Sequence, residues 1–478
     1  MTAVTHADDR RGIQGATLSS DERYIVISAD GHAGGDIPDY RPYLESKWHE
    51  DFDQWAAAYE NPHEDLLGDL GPRNWDSARR QRDVEADGLA AEILYPNTIP
   101  PFYPKSSLTA QPPSLTPLDA ERRWAGLQAH NRWLRDFCDD VPGRRAGVVQ
   151  INLYDPEASA AEIRWARENG LHGGVLLPGT PPGVDLPQLH DACYEPIWKA
   201  VSETGMPLNH HTGSAAPPSD GSPEGMVTFL LEVSWYAHRA FYQLVIGGVL
   251  ERYADLQLVF TEQGTAWVPE ELARLDHFFQ RMGGSGGSQE EAWGSEVVGK
   301  LSLKPSEYFN RQCHIGASFI RPAEVQIRDR VGVDRIMWGS DYPHREASSP
   351  YSKECLAFAF GGVPKAEVEK MLSLNAAKLY GFDLTYRSQS GCIPRSYPCR
   401  RSEASEGEIH VFATKARCLE TRQAEKSQCL EPSKRNALSK PKLCQGRCSC
   451  HPCLCAWRNV ALGGVSAVSK KVVLHLAG

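Results

Sequence analysis

The feature that most constrains the fold is a recurring short apolar run that stops abruptly at polar residues. The last of these is the plainest. Arg335-Ile-Met-Trp-Gly-Ser-Asp-Tyr-Pro-His344 opens with side-by-side apolar residues, breaks at Gly339 and delivers Ser340, Asp341 and His344 into a Pro-bearing loop. Tyr24-Ile-Val-Ile-Ser-Ala-Asp-Gly-His32 follows the same plan, a β-branched run ending in a polar trio. Further runs begin near residues 91, 146, 173, 206, 256 and 312. Their apolar residues are contiguous rather than alternating, which predicts strands buried on both faces.

Helical patterns lie between most of these runs. Trp124, Leu127, Trp133, Leu134 and Phe137 roughly follow helical spacing over Asp119–Asp139, and Pro142-Gly143 stops that helix. Asp155-Pro156 opens another, with the carboxylate at the cap and Pro in the first turn. Others are predicted over Asp191–Glu203, Val227–Tyr253, from Val268, over Pro322–Val331 and from Pro364 to Gly381. Strands alternating with helices build parallel βαβ units, and eight of them indicate an α/β fold, a (β/α)8 TIM barrel with loop insertions. The alternative, an open doubly wound sheet, would place a Gly-rich phosphate turn after its first strand. Here Asp30 and His32 stand where a pyrophosphate would sit.

Composition divides the chain. The net charge is -10, which argues against general nucleic-acid binding. No apolar run approaches the roughly 20 residues of a spanning helix. Residues 1–22 are polar, carry no apolar signal region and read as a disordered leader, so a cytoplasmic protein with no membrane partner is expected. Nine of the 13 cysteines lie between Cys392 and Cys455, and from Thr385 onward the charge is +10 against -20 before it. We therefore expect a folded unit over 23–384 and a basic, Cys-rich, disordered tail over 385–478. The tail's Cys444-x3-Cys448-x-Cys450-His-Pro-Cys453-x-Cys455 lacks the two separated pairs of a zinc finger.

The strand ends carry metal-capable side chains: Asp30 and His32 on the first, His210 and His211 on the fifth, Glu262 on the sixth, His314 on the seventh and Asp341 on the eighth. Residues i and i+2 of a strand share a face, so Asp30 and His32 can converge; of the adjacent His210 and His211, only one can. Carboxylates with imidazoles suit Zn²⁺, Mn²⁺ or Fe²⁺. Such an ion, with one position left to water, makes a nucleophile at neutral pH.

Asp30-Gly-His32, His211-Thr-Gly213, Glu262-Gln-Gly-Thr-Ala-Trp-Val-Pro269 and Gly339-Ser-Asp-Tyr-Pro-His344 together resemble the amidohydrolase-related family, in the branch of aminocarboxymuconate-semialdehyde decarboxylase and related enzymes. The resemblance spans roughly 24–384 and implies a distorted TIM barrel holding one divalent metal, with Zn²⁺ first and Mn²⁺ or Fe²⁺ as alternatives. It implies Asp30, His32, His211 and Asp341 as ligands, with Asp341 also accepting the proton of the attacking water. Two departures stand out. The decarboxylases usually begin His-x-His or Glu-x-His/Ala where this chain has Asp-x-His, and they carry a sixth-strand His where this chain has Glu262.

On those grounds the expected reaction is hydrolysis of a small organic, cyclic or aromatic substrate. A non-oxidative carboxy-lyase is the alternative, with Glu262 or His314 as proton donor, and a ligand-binding barrel without catalysis the further one. Arg345 is a candidate for holding a substrate carboxylate and His344 for contacting substrate or fixing the loop. Substrate selection is expected from insertions over 33–82, 98–118, 214–226 and 282–308. A homodimer is left open.

Overall fold

The structure, a computed structural model, describes residues 24–61, 66–104, 116–180 and 184–384. Among the described residues there are nine strands: β1 (Ile27–Ala33), β2 (Ala91–Pro96), β3 (Arg145–Gly147), β4 (Val149–Gln150), β5 (Val175–Leu176), β6 (Leu208–His211), β7 (Leu258–Thr261), β8 (Cys313–Ser318) and β9 (Ile336–Gly339). They form two parallel sheets, β1-β2-β3 and β4 through β9 in chain order. β3 and β4 are two halves of one run. Between them Val148 N–H donates to Leu94 O at 2.9 Å, while Val149 N–H turns to Gly174 O at 2.9 Å. The other seam closes through Asp341 N–H to Asp30 O at 2.8 Å and His32 N–H to Tyr342 O at 2.7 Å. The result is an eight-stranded parallel α/β barrel, distorted where the ladder breaks.

Every strand residue is buried, as contiguous apolar runs require when side chains fill the interior and helices cover the outside. The helix after β2 runs Pro117–Asp139, capped by the Thr116 side chain on Asp119 N–H. Asp155 caps Pro156–Glu168 in the same way. The stretch expected as one long helix over Val227–Tyr253 is three pieces, Pro223–Ala237, Arg239–Ile246 and Val249–Arg252, the last two parted by Gly247 and a left-handed Gly248. The insertion after β1 contains helices His49–Ala58 and Ser77–Asp87, the second capped by Asp76 and ended by left-handed Gly88.

One insertion is misplaced by the sequence reading. Residues 282–308 follow a helix rather than a strand, so they lie at the barrel end opposite the strand termini. There Ser302 Oγ donates to Glu251 Oε2 at 2.9 Å, and Glu251 belongs to the short helix that precedes β7. They cannot select substrate at the mouth. The expectations for 1–22, for 385–478 and for most of the 98–118 insertion fall outside the described residues. Among the described residues no helix is long and apolar enough to cross a membrane.

Candidate metal centre

The site lies where β1, β6, β7 and β9 end. β1 shifts register by one residue between Ser28 and Gly31 against β2. Bulges of this kind re-aim side chains beside active sites. Asp30 is fully buried and His32 is 4 % exposed, and their Oδ1 and Nε2 atoms stand 3.2 Å apart. His32 Nε2 is also 3.1 Å from Asp341 Oδ1. From β6, His211 Nε2 reaches Asp30 Oδ1 at 3.4 Å and Glu262 Oε2 at 3.3 Å. Its neighbour His210 points the other way, with Nδ1 2.9 Å from Leu177 O. The His344 ring sits 4.4 Å from the His32 ring.

These side chains form three overlapping sets whose ligand atoms lie within 4.8 Å of one another: Asp30, His32 and His211; His32, Asp341 and His344; Asp30, Glu262 and Asp341. A fit to a divalent ion can be judged from what the donors lack. Asp341 is fully buried, and neither of its oxygens has a hydrogen-bond partner; nor does His32 Nε2. Buried polar atoms are almost always satisfied, and three orphans within one carboxylate–imidazole cluster fit a shared cation. The remaining atoms are oriented from behind. Ser318 Oγ, at the end of β8, donates to Asp30 Oδ2 in a short contact. His211 Nδ1 lies 2.8 Å from Thr212 O and His32 Nδ1 3.4 Å from Pro96 O. Such partners fix ring orientation and leave Nε2 for the metal.

Glycines allow the close approach. A Cβ on Gly339 would lie 2.5 Å from Asp30 Cβ and 2.8 Å from Ser318 Oγ. Three non-glycine residues at strand ends adopt left-handed backbone: Glu262 (φ 61°), Phe319 (φ 55°) and Asp341 (φ 63°). Backbone strain of this kind clusters at functional sites.

The charges are strongly coupled. Burial alone would raise the Asp30 carboxyl, but the charge and hydrogen bonds of His211 and His32 outweigh it and hold it well below its usual range. Burial would lower His211, but Asp30 and Glu262 push it up to about 10. Asp341 is pushed up to about 8 by burial and by the Asp30 charge. Glu262 is pushed up to about 7, mainly by burial. A quarter of its side chain still reaches solvent, against 0–1 % for Asp30 and Asp341, so Glu262 is the carboxylate of the cluster most open to bulk water.

Two proposed residues stand apart. His314 is the second residue of β8, at the entry end of the barrel, with Nε2 3.0 Å from Gln257 Oε1. It is a buried neutral imidazole far from the strand termini where the cluster lies, held low by burial and by Arg335 and Lys378. Arg345 follows His344 on the rim loop and is exposed. Ser318 is a site residue that no metal-ligand pattern in the sequence marks. Ser318 was legible as the last residue of a strand that ends beside the others.

A parallel barrel with a carboxylate–imidazole cluster at the strand termini defines a metal-dependent barrel enzyme. The amidohydrolase family profile matches residues 79–382, and the chain belongs to that family. It is an enzyme, a hydrolase or carboxy-lyase using one divalent metal ion. It is 25 % identical over 276 residues to gamma-resorcylate decarboxylase of Rhodococcus jostii, covering 53 % of this chain and 75 % of the relative. Its fold is similar to 5-carboxyvanillate decarboxylase of Sphingomonas paucimobilis, with a TM-score of 0.56 and 17 % identity over 75 % of this chain and 100 % of the other. The Novosphingobium aromaticivorans 5-carboxyvanillate decarboxylase, solved with manganese and 4-hydroxy-3-methoxy-5-nitrobenzoic acid, gives a TM-score of 0.54 and 23 % identity over 75 % and 96 % of the two chains.

Proposed function

We propose that this protein is a divalent-metal-dependent, non-oxidative decarboxylase of a hydroxylated aromatic carboxylic acid. The observation that carries the reading is the kind of relative it has: the curated relative and the solved structures described above are aromatic-acid decarboxylases. Glu262, standing where the decarboxylases carry a histidine, is the main sequence argument for hydrolysis. A carboxyl raised to about 7 by burial meets that objection, since it can carry a proton near neutral pH.

The reaction replaces a ring carbon–carboxylate bond with a carbon–hydrogen bond. The ring carbon takes one proton, the electrons of the broken C–C bond stay with the ring, and CO₂ leaves; no oxidant or reductant is needed. A divalent ion held by Asp30, His32, His211 and Asp341 would supply a positive centre that anchors substrate oxygens. Asp341 has two buried oxygens free of hydrogen bonds, so one can serve the ion and the other can hold the proton for the ring carbon. Glu262 returns that proton from solvent. Ser318 keeps Asp30 oriented. His344, half-buried beside His32, would line the mouth, and Arg345, exposed on the same loop, is the candidate for a substrate carboxylate.

The test is CO₂ release from gamma-resorcylate, 5-carboxyvanillate and related acids with Mn²⁺ or Zn²⁺, run beside esters, lactones and amides. Decarboxylation supports the reading. Hydrolysis without CO₂ returns the assignment to a hydrolase.

The partner we propose is a small-molecule acid in the site and a second copy of the chain. Support for the second copy is the helix Pro223–Ala237, which exposes Met226 (45 %), Val227 (58 %), Leu230 (68 %), Leu231 (78 %) and Trp235 (60 %) along one side. This stripe is on the order of 600 Å², the upper end for a monomer, and two copies face to face would bury about 1,200 Å², enough for a stable interface.

A further inference from the structure

The seam between β1 and β9 carries the ligands Asp30, His32 and Asp341, yet its ladder is thin. Beyond the two backbone bonds already given, it has one bridge, Gly31 to Tyr342, and the contacts of two serines: Ser28 Oγ and Ser340 Oγ at 2.9 Å, Ser340 N–H to Ser28 Oγ at 2.8 Å and Ser340 Oγ to Asp30 O at 3.4 Å. A charged side chain spans this seam from behind. Arg80, on the helix Ser77–Asp87, is completely buried. Its Nε and Nη2 donate to the two carboxylate oxygens of Glu92 on β2, at 3.0 and 2.8 Å. Its Nη1 donates to His32 O at 2.6 Å and to Arg73 O at 3.3 Å. The guanidinium face lies 4.8 Å from the centre of the Tyr342 ring, which also carries Arg73 at 4.7 Å and donates its hydroxyl to Asp83 at 2.8 Å.

One group therefore holds the carbonyl of a ligand on β1, the residue after a ligand on β9, and the strand between β1 and β3. A fully buried ion pair is a poor way to gain stability, since apolar residues of similar size do as well or better. Its fork geometry does supply fixed direction, which a lysine or an apolar residue cannot. The space for it is made at Gly31, between the ligands Asp30 and His32: a Cβ there would meet Glu92 Oε2 at 3.3 Å and Arg80 Nη2 at 3.4 Å.

We propose that Arg80 is a positioning residue that sets the distance between the β1 and β9 ligands of the metal centre, with Glu92 aligning its guanidinium. It touches neither the ion nor substrate and acts through His32 and Tyr342. The proposal rests on the metal centre and not on the identity of the reaction, so metal binding tests it independently of decarboxylation.

The experiment is titration of the metal-stripped full chain with Mn²⁺, following free Mn²⁺ by electron paramagnetic resonance, alongside circular dichroism of the same samples. Three variants are compared: Arg80→Lys, which keeps the charge but not the fork; Arg80→Met with Glu92→Met, which removes the pair without stranding a buried charge; and Glu92→Gln. The expected result is native helix and strand content with Mn²⁺ affinity lowered about tenfold or more in the first two, the range seen when the support of a ligand is lost. Glu92→Gln, which keeps one acceptor, loses less. A purely structural pair would leave the Mn²⁺ affinity of the folded double variant unchanged, and that result overturns the proposal. So does native affinity in Arg80→Lys. Should the double variant fail to fold, the folded Arg80→Lys and Glu92→Gln proteins decide it on the same readout.

Discussion

Replacing Gly339 with alanine puts the ligand geometry under direct strain. The added Cβ would lie 2.5 Å from Asp30 Cβ and 2.8 Å from Ser318 Oγ. Carbon atoms pack at about 3.5–4.0 Å, so β9 and β1 must separate locally by on the order of 1 Å or Asp30 must swing away. Asp30 Cβ cannot rotate out of the way, and Asp30 is fully buried and held by Ser318 and His211. Overpacking of this kind costs about 1–3 kcal/mol. We expect urea unfolding of the metal-free variant to shift to a lower midpoint with an unchanged slope. The same displacement moves one ligand relative to Asp341, so Mn²⁺ affinity should fall about tenfold or more, comparable to the loss of a ligand's support. Native stability with native Mn²⁺ affinity would refute the packing argument. Lost stability with native affinity would show that β1 yields without moving Asp30, and would refute the link from packing to site.

Two further outcomes follow from the structure. His130 is fully buried between the Tyr40 and Trp133 rings, and burial lowers it to about 3, so it stays neutral in the folded state while the unfolded chain takes up a proton near 6.5. Its contribution is complete well above pH 6.5 and is lost as pH falls: about 1.7 kcal/mol between pH 6.5 and 5, which His130→Phe should remove when denaturation midpoints are compared at the two values. On the helix Pro223–Ala237, Leu231→Glu with Trp235→Glu should convert a dimer into a monomer with its circular dichroism intact. Sedimentation velocity reads this directly, and a monomeric wild type or an unaffected dimer would remove the proposed interface.

Much of the barrel is legible in the sequence because its strands are buried on both faces and read as contiguous apolar runs, while caps such as Asp155 mark helix starts. The ligand strands are legible for the same reason: Asp30, His211, Glu262 and Asp341 each end or follow an apolar run. What alternation cannot supply is height along a strand. His314 sits in a strand like the others but near its entry end, so it falls on the far side of the barrel. The 282–308 insertion fails similarly, since whether a loop lies at the mouth depends on whether it follows a strand or a helix. Arg80 and Glu92 were illegible because a buried ion pair resembles surface charge until the fold brings the two together. The helix bearing Arg80 could have been found from Asp76 and Gly88, its cap and terminator.

The central claim is that this metal centre removes carboxylate from a hydroxylated aromatic ring. The most direct measurement is CO₂ and phenol formation from gamma-resorcylate and 5-carboxyvanillate by the Mn²⁺-loaded protein and by its Asp341→Asn variant, with circular dichroism of both. The account predicts equal amounts of CO₂ and decarboxylated phenol from at least one acid, strictly dependent on the metal and abolished in a folded Asp341→Asn protein. CO₂ release that persists without metal or without Asp341, or hydrolysis of esters or amides with no CO₂ from any hydroxylated aromatic acid, would contradict it.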